Sequence, residues 1–277
     1  MKRAALLFSL LCLLFMFGAA APAALASRAE IIINGSTTVL PVVQHAGEAF
    51  MAENPDINLA ISGGGSGNGI NALIEGLCHV AMSSRDIRPS EVARAKARGI
   101  NLFKTAVAVD ALVPVVHPDN PVDNLTVEQL RGIFAGRITR WSAVGGRDEN
   151  IVVISRDTSS GTYETWDLFV MNRERVAARA LLQASSGMIS QTVSRNRRAL
   201  GYVGYGYIND TLKKLNVNGI EATAAAAVAK EWPIARELYV FTNGEPAGVV
   251  KKLLDYLTDP QKGQKAVAEI GFIPLYQ

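Results

Sequence analysis

The sequence predicts an α/β protein built as two lobes, and three observations carry that reading. Short β-branched apolar runs alternate with stretches whose apolar residues recur at helical spacing. Three of the strand-like runs end in loops rich in Ser, Thr and Gly. Two further apolar runs, 111–116 and 238–241, are placed so that the chain can cross from one lobe to the other and return.

Taken in order, residues 31–33 read as a β-branched strand, and the turn Asn34-Gly35-Ser36-Thr37-Thr38 opens a helix carrying Leu40, Val43, Gly47 and Phe50 on one face. Pro41 falls in that helix's first turn, where its missing N–H does little harm. Residues 59–61 form the next strand and run into a glycine-rich loop over 63–69. Ile70, Leu73, Ile74 and Leu77 then fit a helical face. Residues 80–82 form a third strand, leading to Ser83-Ser84-Arg85-Asp86. The run 111–116 is the outward crossing. Thr126 and Gln129 make a capping box before Leu130, Ile133 and Phe134. Residues 151–154 form a buried-type strand whose loop runs over 155–162, and residues 238–241 form the returning strand. Asp259 as N-cap, Pro260 at the first position and Gly271 as terminator frame the last helix. The alanine-rich stretch 222–229 reads as a helix end or surface turn.

The first residues are expected to leave the protein. Lys2 and Arg3, an apolar run over 4–20 and the small residues Ala24-Leu25-Ala26 make a secretory signal. Cys12 lies inside the apolar run, which argues against a lipid anchor. Cleavage after Ala26 leaves 26 basic against 25 acidic residues, a net charge of +1. That balance gives no support for nucleic-acid binding, which shows a basic excess. Cys78 is then the one remaining cysteine, expected to be a buried, inert thiol. The expected layout is signal 1–26, lobe one 27–113 plus 233–277, and lobe two 114–232.

The chemistry is expected in the three Ser/Thr/Gly loops, 35–38, 63–69 and 159–162. Each can open a helix, whose unpaired N–H groups and partial positive charge attract anions. Hydroxyls add donors, and glycine lets the backbone approach a ligand. Any one such loop is an ordinary N-cap; three converging would surround a small tetrahedral anion. The glycine-rich loop lacks the Lys-Ser/Thr ending of a nucleotide phosphate loop. Arg156 directly follows a strand, four residues before Ser160-Gly161-Thr162, and offers a charged, planar fork for oxyanions. Arg85, also at a strand end, is a second candidate clamp. A surface salt bridge is the plainer reading of either arginine.

At this point the chain resembles the phosphate-binding proteins of high-affinity phosphate ABC transporters, over nearly all of 31–277. The landmarks are Ile33-Asn34-Gly35-Ser36-Thr37-Thr38-Val39-Leu40-Pro41, the glycine-rich run 63–69, Met82-Ser83-Ser84-Arg85, the capping segment 125–130, Gly136-Arg137-Ile138-Thr139-Arg140-Trp141, the segment 156–162, Gly201-Tyr202-Val203-Gly204-Tyr205 and Tyr239-Val240-Phe241-Thr242-Asn243-Gly244. The resemblance implies a two-lobed type II periplasmic-binding-protein fold with mixed central sheets and a hinge. It implies inorganic phosphate as ligand, permease and ATPase subunits of a membrane transporter as partners, no cofactor, a monomer, and a periplasmic or extracellular location. Carried over residue by residue, Thr37, Thr38 and Ser66 donate from lobe one, with Ser36 as an extra donor. Arg156, Ser160, Gly161 and Thr162 donate from lobe two. Some members of the family place an Asp directly after the Ser at the third strand end, to accept a proton-bearing phosphate oxygen. Here Arg85 follows Ser84, and Asp86, Asp157 and Glu164 are left as possible acceptors.

Three other readings compete. An enzyme acting on phosphate esters is disfavoured: His45, His79 and His117 are not spaced as a metal pair, no Gly-x-Ser-x-Gly elbow occurs, and Ser160 lacks an evident base. A binder of another oxyanion, sulfate or molybdate, would share the fold. A phosphate sensor or scavenger without a transporter would share the site. Trp141 and Trp232 read as packing residues, because an inorganic anion needs no aromatic platform.

Overall fold

The structure, a computed structural model, describes residues 28–276. The signal sequence read over 1–26 lies outside them. Strands β1 (Ala29–Gly35), β2 (Ile57–Gly63) and β3 (Val80–Ser83) are parallel, in the order β2-β1-β3. Ile31 and Ile33 of β1 are buried on one face. Helix α1 (Leu40–Glu53) links β1 to β2, and α2 (Ser66–Ile74) links β2 to β3. Because the three strands run the same way, their carboxyl ends and the loops leaving them lie along one edge of the sheet. Ligands of open α/β sheets bind at such an edge.

Helix α3 (Pro89–Ala97) precedes β4 (Leu102–Val116), a strand of 15 residues. Its first part pairs antiparallel with β11 (Ala235–Asn243), which in turn pairs antiparallel with β3. Its last part, from Leu112 onward, pairs with β8 (Ala199–Gly204). Strands β6 (Val152–Arg156) and β7 (Leu181–Gln183) follow β8 in parallel, completing the order β2-β1-β3-β11-β4-β8-β6-β7. The short pieces β5 (Asn124–Leu125), β9 (Lys213–Lys214) and β10 (Asn216–Val217) are peripheral: β9 extends β4, and β5 pairs with β10.

Two large apolar cores pack against this one curled sheet, with two smaller clusters around Leu73 and around Ile70. The first holds Ile31, Val43, Phe50, Val107, Ala108, Leu238, Leu253 and Phe272, covered by α1, α8 (Gly248–Thr258) and α9 (Gly263–Glu269). The second runs from Ala111 through Phe134, Trp166, Leu200 and Tyr202 to Ile234. It is covered by α4 (Val127–Phe134), α5 (Gly161–Trp166), α6 (Ser186–Ser194) and α7 (Ala224–Val228). The changeover from one core to the other falls at Asp110 in β4 and Arg236 in β11, which are paired in register. A β-bulge follows at Leu238/Tyr239.

Several elements differ from expectation. The outward crossing has 15 residues where the run 111–116 has six, because Asp110 interrupts the apolar signal while β11 still supplies a ladder partner. Ser66 opens α2 instead of lying in a loop. Leu77, expected on the buried face of that helix, is 70% exposed because α2 ends at Ile74 and the chain turns through Glu75 and Gly76. The last helix starts at Gly263, not after Asp259. Asp259 closes α8, and its carboxylate and carbonyl accept from Gln261 and Gln264 in the intervening turn. The capping box at Thr126 and Gln129 is present in both directions, at 3.1 and 2.8 Å. Cys78 is buried, and burial pushes its thiol up to about 11.

Candidate functional site

The loops after β1, β2, β3 and β6 meet where the two cores face each other. Thr38 Oγ1 lies 2.8 Å from Thr162 Oγ1, although 124 residues separate them. Ser66 Oγ lies 3.3 Å from Ser84 Oγ and accepts the Ser84 N–H at 3.1 Å. Ser84 Oγ is 3.5 Å from Thr162 Oγ1. Thr38, Ser66, Ser84, Ser160 and Thr162 are all buried. Polar groups packed this densely away from water are costly unless each finds a partner, so the cluster is built for polar recognition.

Close approach explains two of the glycines. A Cβ on Gly161 would stand 2.4 Å from Ser66 Oγ and 2.8 Å from Ser84 Oγ, so no larger residue admits this contact between lobes. Gly65 has φ +100°, and a Cβ there would meet the Ser159 hydroxyl at 2.5 Å. The same juxtaposition lets Gly67 N–H donate to the Ser159 carbonyl at 2.9 Å.

The hydroxyls divide by role. Ser36 Oγ accepts the N–H groups of Thr38 and Val39, which shapes the loop entering α1. Ser160 Oγ accepts from Tyr163 N–H and caps α5. Thr37 Oγ1 accepts the Ser186 N–H at 3.3 Å. Thr38, Thr162 and Ser84 face one another across the junction.

Arg156 is the buried cation of the second lobe. Its side chain is 1% exposed, and burial pushes the guanidinium below its ordinary range. Nε and Nη2 donate to the carbonyls of Gln183 and Ala184, and Nη1 to Ser186 Oγ at 3.3 Å. Asp157 Oδ2 stands 3.9 Å from Nη2. Arg156 is thus held by neutral groups, with its charge largely uncompensated.

Arg85 differs. Nη1 and Nη2 take both oxygens of Glu91 at 2.8 and 2.7 Å, Nε takes Glu164 Oε1 at 2.6 Å, and Nη1 also reaches the Asp86 carbonyl. The guanidinium expected as a second clamp is therefore turned onto two carboxylates, in a buried cluster and not the surface salt bridge of the plainer reading. Glu164, from the second lobe, also takes Arg88 Nε at 2.7 Å, so the cluster ties α5 to α3.

The three carboxylates considered as acceptors all point elsewhere. Asp86 is exposed and paired with Lys104. Asp157 accepts from the N–H and hydroxyl of Ser159. Glu164 is spent on Arg85 and Arg88. Trp141 and Trp232 lie in the second core, donating to the carbonyls of Arg198 and Leu112.

Ser84 and three further residues at the junction were not anticipated as site residues. Ser186, first residue of α6, lies 3.2 Å from Thr38 Oγ1. Its signal was a fourth Ser-Gly helix start, Ser185-Ser186-Gly187, obscured because the strand before it is short and exposed. Asp110 and Arg236 form an ion pair at 2.7 Å beside Thr162, with Asp110 wholly buried. Burial pushes the Asp110 carboxyl up, against the pull of Arg236 and of the Tyr205 and Ala111 N–H groups. A carboxylate inside an otherwise apolar run was the available signal.

The model of the PBP superfamily domain matches residues 20–261. The phosphate-binding protein PstS of Bacillus subtilis is 31% identical over 247 residues, covering 89% of this chain and 81% of that protein. Among solved structures, a Clostridium perfringens substrate-binding protein assigned to a phosphate ABC transporter, with phosphate bound, superposes with a TM-score of 0.83 at 32% identity, over 89% of this chain and 99% of that one. An ABC-type phosphate transport receptor from Vibrio cholerae gives a TM-score of 0.72 at 31% identity, over 88% and 99% of the two chains.

Proposed function

The chain belongs to the PBP superfamily and, within it, to the phosphate-binding PstS proteins, and from that premise we propose that it captures inorganic phosphate between its two lobes and delivers it to the permease and ATPase subunits of an ABC importer. Arg156 carries this reading. A guanidinium taken out of water costs several kcal/mol in general, to be offset by an anion, and here only carbonyls, a hydroxyl and a carboxylate oxygen 3.9 Å away attend it. A doubly charged tetrahedral oxyanion set among Thr37, Thr38, Ser66, Arg156, Ser160, Gly161 and Thr162 supplies the missing charge. Ser36 shapes the first loop. Arg85 holds the lobes through Glu164 and does not touch the ligand.

The lobes are taken as 27–113 plus 233–277 and 114–232, hinged at β4 and β11. A ligand gripped by both lobes favours the closed arrangement by its differential affinity. The protein acts without turnover and as a monomer, exported after cleavage near Ala26. Mass spectrometry of the secreted fraction is expected to find Ser27, or a residue close to it, at the amino terminus.

Calorimetry on the mature protein, stripped of carried-over anion, tests the function. One phosphate per chain is expected. No heat with phosphate, together with binding of sulfate or molybdate, would transfer the site to another oxyanion. Hydrolysis of a chromogenic phosphate ester would overturn the non-catalytic reading.

A further inference from the structure

The Asp110–Arg236 pair sits where β4 and β11 pass from one core to the other, yet its guanidinium reaches beyond its carboxylate. Nε and Nη2 take Asp110 Oδ2 at 3.0 and 2.7 Å, and Asp110 Oδ1 accepts the Tyr205 N–H at 2.9 Å. Nη2 also donates to Thr162 Oγ1 at 3.0 Å, and Nη1 to Thr165 Oγ1 at 3.0 Å. A guanidinium has donors only, whereas a threonine hydroxyl has one proton and two lone pairs. The direction of the Arg236–Thr162 bond is therefore fixed, and the single proton of Thr162 must point away from Arg236. The groups on that side are Thr38 Oγ1 at 2.8 Å and Ser84 Oγ at 3.5 Å, the hydroxyls of the candidate site.

The far side repeats the arrangement. Arg156 Nη1 donates to Ser186 Oγ at 3.3 Å, and Ser186 Oγ lies 3.2 Å from Thr38 Oγ1. Thr38 thus stands between two hydroxyls, each of which accepts from a guanidinium behind it and keeps its own proton for the side away from that guanidinium.

We infer that Arg236 is a positioning residue that turns the Thr162 hydroxyl proton toward the site, so that it is presented to an unprotonated oxygen of the ligand. Arg236 does this without touching the ligand, and Asp110 fixes the guanidinium in place. A free threonine hydroxyl can turn to donate or to accept. A pinned one has made that choice before the ligand arrives, so less ordering is left to the binding step.

This inference rests on the phosphate-binding reading, and its test separates the two. Phosphate affinity is measured for the parent, for Thr162→Val, for Asp110→Asn with Arg236→Met, and for the triple variant. Removing both charges together leaves no buried carboxylate alone. Thr162→Val is expected to weaken binding about tenfold, the charge-pair variant by less because its Thr162 hydroxyl can still turn to donate, and the triple variant to match Thr162→Val within about twofold, because both changes act through that one donor. Combining the charge-pair change with Ser66→Ala, which Arg236 does not contact, is expected to multiply the losses. If the charge-pair variant does not fold, as judged by its melting curve, Arg236→Lys goes through the same cycle: it keeps a cation against Asp110 but gives up the fork. Losses that multiply with Thr162→Val as fully as with Ser66→Ala overturn the inference. A parent that binds no phosphate overturns the functional reading instead.

Discussion

The ends of β3 and β6 each carry a buried arginine, and the two are used in opposite ways. Arg85 is matched by Glu91 and Glu164, so its charge is spent inside the protein. Arg156 is matched by the carbonyls of Gln183 and Ala184 and the hydroxyl of Ser186, so its charge remains available. Both lobes bring hydroxyls to the junction, Thr38, Ser66 and Ser84 from the first and Thr162 and Ser186 from the second, and in the proposed site the second adds the cation. What decides an arginine's role here is not its position after a strand but whether a carboxylate comes with it.

The strongest way to break this comparison is to remove each arginine and read stability and affinity separately. Arg85→Ala leaves Glu91 buried without its partner, and losing one member of a buried pair costs about 3–5 kcal/mol. The expected result is a marked fall in melting temperature, with binding largely kept by the molecules that remain folded. Arg156→Ala should reverse the pattern: binding weakens by about 2–5 kcal/mol, roughly 30- to several-thousand-fold, while the fold survives. If both variants lose stability alike and affinity alike, the division of labour fails.

Acid sharpens the same contrast. Burial raises the Glu91 carboxyl, but hydrogen bonds from Arg85 and from the Arg88 N–H outweigh it and hold the group below its usual range. A carboxyl depressed on folding contributes stability that is present above its unfolded value, near pH 4.3 or roughly there, and lost as pH falls through the folded value. Melting temperature is therefore expected to drop more steeply below about pH 4 in the parent than in an Arg85→Met, Glu91→Gln variant. Equal slopes would remove Glu91 from the account.

Smaller effects are expected further from the charges. Thr162→Val removes one neutral donor and should cost about 1–3 kcal/mol of phosphate affinity. Glu164→Gln loosens the tie between α5 and α3. Because Glu164 shares its charge with the half-exposed Arg88, the expected loss is about 1 kcal/mol or less, shrinking further as salt rises. A loss that ignores salt would mean that Glu164 acts by packing.

These contrasts also show what could be read from the sequence. The loops over 35–38, 63–69 and 156–162 were legible because each joins a strong apolar run to a Ser/Thr/Gly helix start. Arg85 and Arg156 looked alike because the difference lies in Glu91 and Glu164, and Glu164 is 79 residues from Arg85. Asp110 and Arg236 were missed because their meaning depends on strand register across 126 residues. Leu77 misled because its spacing fits a helix that in fact stops a few residues earlier.

The fifteen residues of β4 have one more consequence. Its first part is a wall of one core and its last part a wall of the other, and β11 likewise borders both. Neither core can melt without stripping a ladder partner from its neighbour. Two lobes proposed to close on a ligand therefore share one thermodynamic fate: heated without ligand, the chain is expected to unfold in a single cooperative transition, its calorimetric and van't Hoff enthalpies in agreement.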